Sequence, residues 1–170
     1  MAKKTSLRDF QAYLAERLMS AAQGRGGASW LGIEAGESGW LVDLADSGEI
    51  IQAPQWQSVP LTQPWFAGIA NIRGNLYAVT DFSAFSGHGP TPRNSQVRLL
   101  LIGTKHGSNA SLLVTRMLGL KNPDDFEPVS ADETQPAWGA LCWRDRQGRI
   151  WHKLSVRDLL ADPTFMNVGV

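Results

Sequence analysis

Three histidines, one cysteine and a short acidic run are the residues of this 170-residue chain whose types could support catalysis or hold a metal. Catalysis needs titratable groups that converge, so spacing decides whether they count. His88, His106 and His152 stand far apart, and none has a His-Glu-x-x-His or Cys-x-x-Cys neighbour, which predicts surface or strand histidines. Asp124, Asp125 and Glu127 lack the glycine and the closing glutamate of a calcium loop and read as a solvated acidic turn. Cys142, alone in an apolar run, can form neither an intramolecular disulfide nor a cysteine-rich metal site. Gly24-Arg25-Gly26-Gly27 leads into a strand pattern without the lysine of a phosphate-binding loop, and no nucleophile elbow is present. No catalytic, cofactor-binding or metal-ligating residue is expected, and the chain reads as a non-enzyme.

Binding chemistry remains. Tryptophan is enriched both in cores and at interface hot spots, and the chain has seven. Trp30, Trp40, Trp143 and Trp151 fall in strand patterns, where core packing is expected. Trp56 and Trp65 lie in a proline-bearing connection, where each either plugs a barrel end or is offered to a partner. Sixteen basic residues offset sixteen acidic ones, so there is no long-range positive field for a polyanion and nucleic acid is not an expected partner. The N-terminus opens on Lys3 and Lys4 without a signal-type apolar core, and no stretch approaches membrane-spanning length. A cytoplasmic protein without direct membrane insertion is expected.

The elements that would position a binding surface follow from periodicity. Ser6 with Asp9 opens a helix to about Ala21, whose stripe of Leu7, Phe10, Leu14 and Leu18 is expected to dock on the domain or on a partner. Gly24, Gly26 and Gly27 make a linker. Alternation at Leu31, Ile33 and Ala35, a turn over residues 36–39 and a run from Trp40 to Leu44 predict a hairpin. Residues 54–64 predict an ordered surface connection. Residues 68–73 and 76–81 flank Gly74-Asn75, which reads as a tight turn with positive φ. Residues 86–95 read as a crossover dividing a first set of strands from a second. Two further hairpins are predicted, 97–102 with 112–117 and 140–143 with 150–154. The acidic, proline-bearing stretch 121–136 reads as a long mobile loop without strand pairing. Ser155 with Asp158 opens a short C-terminal helix through Leu160. Many short strands with helices only at the ends predict a mostly-β chain of small barrels or a sandwich.

The segment Gly68-Ile69-Ala70-Asn71-Ile72-Arg73-Gly74-Asn75-Leu76-Tyr77-Ala78-Val79-Thr80-Asp81-Phe82 closely resembles the signature of the CheW family of chemotaxis coupling proteins, in which Asn-x-Arg-Gly precedes an extended Val-x-Asp-Leu-like strand. The resemblance spans about Ser29 to Leu160. Leu7-Arg8-Asp9-Phe10-Gln11, Leu118-Gly119-Leu120-Lys121-Asn122 and the ending from Pro163 to Gly169 resemble the branch of the family that serves twitching motility through type IV pili. Two departures point the same way. Thr115-Arg116 stand where swimming-chemotaxis couplers usually carry an aspartate, and Ser47 stands where a larger apolar residue is usual.

The resemblance implies two SH3-like five-stranded β-barrels with a groove between them, an N-terminal helix with linker over residues 1–27, the domain over 28–162 and a tail over 163–170. It implies a non-catalytic adaptor between a methyl-accepting receptor tip and the regulatory domain of a CheA-type histidine kinase, with no cofactor. It also implies a receptor-side surface of Ser47, Gly68, Asn71, Arg73 and Gly74. From spacing alone, Arg73 is a turn arginine, either solvated or tied to Asp81. The rival readings are a flagellar coupler and, from another class, a small β-barrel enzyme with its site between the barrels.

Overall fold

The computed structural model describes residues 11–12, 14–15 and 29–170. The four described positions before residue 29 are helical and exposed; the rest of the expected N-terminal helix and its glycine linker lie outside the described residues.

Eleven strands follow among the described residues: β1 (Trp30–Ala35), β2 (Ser38–Asp43), β3 (Ser47–Gln52), β4 (Phe66–Ile72), β5 (Asn75–Asp81), β6 (Arg98–Ile102), β7 (Ala110–Val114), β8 (Arg116–Lys121), β9 (Phe126–Val129), β10 (Cys142–Asp145) and β11 (Ile150–Leu154). Three short helices accompany them: α1 (Phe82–Phe85) after β5, then α2 (Val156–Ala161) and α3 (Pro163–Met166) at the end. The strands form two sheets, a six-stranded one in the order β8-β1-β2-β11-β10-β9 and a five-stranded one in the order β3-β6-β7-β5-β4.

This interleaving corrects one expectation. Residues 86–95 do not divide two sets of strands, because β6 and β7 join β3 to β5 in one sheet, with β5 and β7 parallel. The chain changes sheet between β2 and β3, and again at Thr115. There the Thr115 backbone N–H donates to the Glu34 carbonyl at 2.8 Å, while its hydroxyl oxygen accepts from the Gly36 N–H at 3.0 Å. The six-stranded sheet is therefore assembled from two separate stretches of the chain, joined by the parallel pairing of β2 with β11.

The core explains the apolar runs. β6 is buried along both faces: Leu99 and Leu101 join Ala70, Ile72, Val79 and Leu113 inside the five-stranded sheet, whereas Leu100 and Ile102 join Leu31, Ile33, Trp40 and Leu154 in a core shared by both sheets. A strand covered on both sides loses its alternation and reads as a continuous apolar run. Trp30, Leu41 and Trp151 form a third cluster under Phe126 and Trp143, so the four strand tryptophans do pack inward. Trp138 is equally buried; its ring stacks 5.7 Å from Trp40, and its indole N–H donates to Asp162 at 2.8 Å. Trp65 packs between Phe85 and Phe165, at 4.9 and 6.4 Å.

The stretch 121–136 is not an unpaired loop. Phe126–Val129 forms β9 on the edge of the six-stranded sheet, which therefore has six strands where five were expected. Phe126 supplies the apolar surface, 5.5 Å from Trp30 and 5.9 Å from Trp151, and Pro128 is tolerated because an edge strand need not donate outward. The last residues, expected as a tail, form α3 and then pair back: Thr62 bridges Gly169, and the Val170 N–H donates to the Leu61 carbonyl at 3.1 Å.

One ionic cluster crosses the six-stranded sheet. Glu34 on β1 accepts from Arg116 on β8 and, at 3.3 Å, from Arg149 beside β11. Burial alone would raise the Glu34 carboxyl, but the hydrogen bonds and charges of Arg116 and Arg149 outweigh it and hold the group below its ordinary value of 4.5. A depressed carboxylate adds stability above the unfolded value and loses it as pH falls through the folded one. Glu34→Gln is therefore expected to melt a few degrees below the native chain at pH 7, with the gap closing once the pH drops well under 4.5. A gap that persists undiminished at pH 3 in thermal melts would contradict this.

Candidate functional site

The β4–β5 hairpin carries most of the residues that the sequence singles out, and its register is set by burial. Gly68, Ala70 and Ile72 alternate inward along β4, which leaves Ile69 and Asn71 facing out. The pairing of Ile72 with Asn75 then leaves two residues in the loop, Arg73 and Gly74. The turn is thus Arg73-Gly74, one position earlier than the Gly74-Asn75 turn read from sequence. Both residues have positive φ, 51° at Arg73 and 86° at Gly74, the combination that matches the twist of a two-residue hairpin. Positive φ is uncommon for a non-glycine residue, and the Asn71 side chain supports it by accepting from the Gly74 N–H at 2.9 Å.

The tip does not point into empty solvent. Arg73 makes a bidentate pair with Glu49 of β3, and not with Asp81. Asp81 is instead buried: it caps α1 through the Ala84 N–H and accepts from Thr91 twice, at 2.8 and 2.6 Å. β3 and β4 are the two outer strands of their sheet, so the Arg73–Glu49 pair spans its edges and shows how far the sheet curls. The same pair brings the tip beside the strand that begins at Ser47, whose hydroxyl donates to the Leu44 carbonyl at 3.0 Å. Just before it, Asp46 accepts from Lys105 and His106 at 2.8 and 2.9 Å. Burial would raise the Asp46 carboxyl, but these two partners hold it below the usual carboxylate range.

The structure therefore gathers Asn71, Arg73 and Gly74 at one tip and sets Ser47 on the neighbouring strand. Gly68 differs. It is buried at a bulge in β4 with φ of 145°, and a Cβ there would fall inside the van der Waals shell of the Gln57 carbonyl. Its task is to let the connection from β3 bridge Ile69, through Gln57 N–H to Ile69 carbonyl at 2.8 Å and the reverse at 2.9 Å.

Sequence reasoning missed Glu49, Ile69 and Leu76 as parts of this surface. Asn71 pairs with Leu76 and Ile69 with Ala78, so Leu76 and Ile69 share the outer face of the hairpin, and Leu76 is 60% exposed. The outward alternation at Ile69 and Asn71 was the available signal. For Glu49 there was none, because its partnership with Arg73 depends on the curl of the sheet.

The other sequence candidates form no cluster: His106 reaches this neighbourhood only through Asp46, and Cys142 and His152, cross-strand partners with Sγ and Nδ1 3.6 Å apart, lie on the other sheet. His88 meets Ser38, His106 meets Asp46, and His152 meets the Gly139 carbonyl. Asp125 and Glu127 pair with Arg146 and Arg144. Cys142 is buried, which pushes its thiol up. Among the described residues no three His, Cys, Asp or Glu side chains come together as metal ligands would, and no helix is long and apolar enough to cross a membrane. What the hairpin offers chemically is recognition: a rigid tip with an oriented guanidinium, a carboxylate beside it and two apolar side chains on the adjoining face.

Comparison with known proteins gives three findings. A sequence model of the CheW-like domain matches residues 29–164. Protein PilI of Pseudomonas aeruginosa is 29% identical over 151 residues, covering 84% of this chain and 82% of that protein. The crystal structure of the scaffolding protein TtCheW from Thermoanaerobacter tengcongensis superposes with a TM-score of 0.70 at 17% identity, over 84% of this chain and 98% of that one, and so supports the fold.

Proposed function

The chain belongs to the CheW-like domain family, and from that membership we propose that it is a non-catalytic adaptor joining a methyl-accepting receptor to a CheA-type histidine kinase in the pathway that controls type IV pili and twitching motility. The family match over 29–164 carries the coupling role. The likeness to PilI over 84% of the chain supports the pilus pathway, together with the twitching-type segments in the sequence.

The receptor side is the β4–β5 hairpin and the start of β3. Arg73 is the charged contact, held by Glu49 and by the fixed turn; Asn71 and Gly74 shape the tip; Ser47 lines the neighbouring strand. Gly68 acts beneath the surface, by allowing the Gln57–Ile69 bridge that fixes the hairpin. Ile69 and Leu76 supply apolar anchors next to these polar groups, the arrangement in which a few central side chains carry most of the binding energy. The kinase regulatory domain docks on another face, which lets both partners be held at once.

Complementation tests the pathway. In a strain that uses separate couplers for swimming and twitching, expression of this chain is expected to restore twitching zones to a strain lacking the pilus coupler and to leave a swimming-coupler mutant unable to spread. Rescue of swimming alone would assign it to the flagellar pathway.

A further inference from the structure

We propose a second recognition site, a groove of about 570 Å³ that takes an extended, proline-bearing peptide segment with an acidic residue next to the proline. It lies between the connection after β3 and the loop before β6, and none of Ser47, Asn71 or Arg73 lines it. Val97 and Leu113, both buried, make an apolar floor. Pro54, Trp56 and Pro92 make the walls, with the Arg93 guanidinium 4.6 Å above the Trp56 ring.

Three observations favour this occupant. The volume falls in the range of roughly 300–1,000 Å³ typical of ligand-binding clefts. An aromatic wall between prolines matches the way extended left-handed proline helices are bound, in which flat ring faces receive proline rings and no ordering of the ligand backbone is needed. The charge is also specific. Among the described residues Arg73, Arg116, Arg144, Arg146 and Arg149 each pair with a carboxylate; Arg93, Arg98 and Arg157 do not, and of these three Arg93 is the one whose guanidinium spreads over an indole face in the groove. A stacked guanidinium keeps its charge and its fork geometry, so a ligand carboxylate completes it.

The groove is also preformed. Thr91, which precedes Pro92 and Arg93, is anchored by both its N–H and its hydroxyl to the buried Asp81. Farther along the same loop, the Gln96 N–H is capped by Asn94 at 2.9 Å. A wall fixed in advance lowers the ordering cost of binding.

The test uses the full chain, isotope-labelled, titrated with three ten-residue peptides. One is proline-rich with two glutamates, one has lysines in their place, and one is an acidic helix-forming peptide without proline. The expected result is amide shifts confined to residues 53–56 and 91–97 and at the Trp56 indole, with the acidic proline-rich peptide binding about tenfold more tightly than the basic one. Arg93→Glu is expected to reverse that order with the melting temperature unchanged, and Trp56→Leu to weaken both peptides. Equal binding of acidic and basic peptides, preference for the helical peptide, or shifts outside the groove would overturn the proposal. Loss of receptor binding by hairpin variants bears on the coupling role alone, because those residues do not line the groove.

Discussion

Gly68→Val is expected to be the most damaging single change on the β4–β5 hairpin, lowering the melting temperature by roughly 6–20 °C. The residue has φ of 145°, where a side chain is strained by about 1–3 kcal/mol, and the new Cβ would collide with the Gln57 carbonyl. To escape, the connection after β3 must swing away and give up both backbone hydrogen bonds between Gln57 and Ile69, each worth about 1 kcal/mol. The sum is about 3–5 kcal/mol, and in a domain of this size each kilocalorie shifts the melting point by roughly 2–4 °C. Gly74→Ala is the control, because φ there is 86° but nothing lies within 4 Å of the added carbon. It is expected to cost only the backbone strain, about 1 kcal/mol. Thermal melts of the two variants decide the matter: equal losses would mean that the close approach to Gln57 carries no stability. The comparison also separates Gly68 from its neighbours, since any loss of partner binding in Gly68→Val follows from a displaced hairpin and not from a missing contact.

Arg73→Glu is expected to do the opposite, keeping the fold and losing the receptor. Arg73 is exposed and its pair with Glu49 is solvated, so the melting temperature should move by no more than a few degrees. Receptor-tip binding should fall about tenfold or more by charge reversal, while binding of the kinase regulatory domain is retained. The pair raises a competing explanation, that Arg73 matters only because it ties the tip to β3. The exchange variant, Arg73→Glu with Glu49→Arg, distinguishes the two. It restores an ion pair across the same strands but moves the positive charge from the tip to β3. Receptor binding that stays weak in the exchange variant supports direct recognition by Arg73, and recovery to the native level assigns it a purely structural role.

How far the sequence disclosed this arrangement depended on the range of the interactions. The hairpin at residues 66–81 was legible because turn and alternation are local, although its turn was placed one residue late: Gly-Asn looked like the loop, whereas burial of Ala70 and Ile72 makes it Arg73-Gly74. The Ser155 cap and the helix after it were equally local, and the hydroxyl accepts from the Asp158 N–H as the spacing implied. β9 was not legible, because its strand state rests on Phe126 meeting Trp30 and Trp151, residues distant in the chain. The same holds for the interleaved strand order, in which β2–β11 and β5–β7 pair in parallel, each within its own sheet, and for Trp138, which is buried by contacts with Trp40 and Asp162. On the candidate surface, Asn71, Arg73 and Gly74 were read from one contiguous motif, whereas Glu49 enters only when the sheet curls.

Co-sedimentation of the kinase regulatory domain with an assembled receptor-tip fragment tests the adaptor role most directly. With the native chain present, the kinase domain is expected in the pellet; without it, in the supernatant; and with Arg73→Glu, in the supernatant as a complex with the variant. A kinase domain that stays in the supernatant despite the native chain, or that pellets equally well with Arg73→Glu, would contradict coupling through this hairpin.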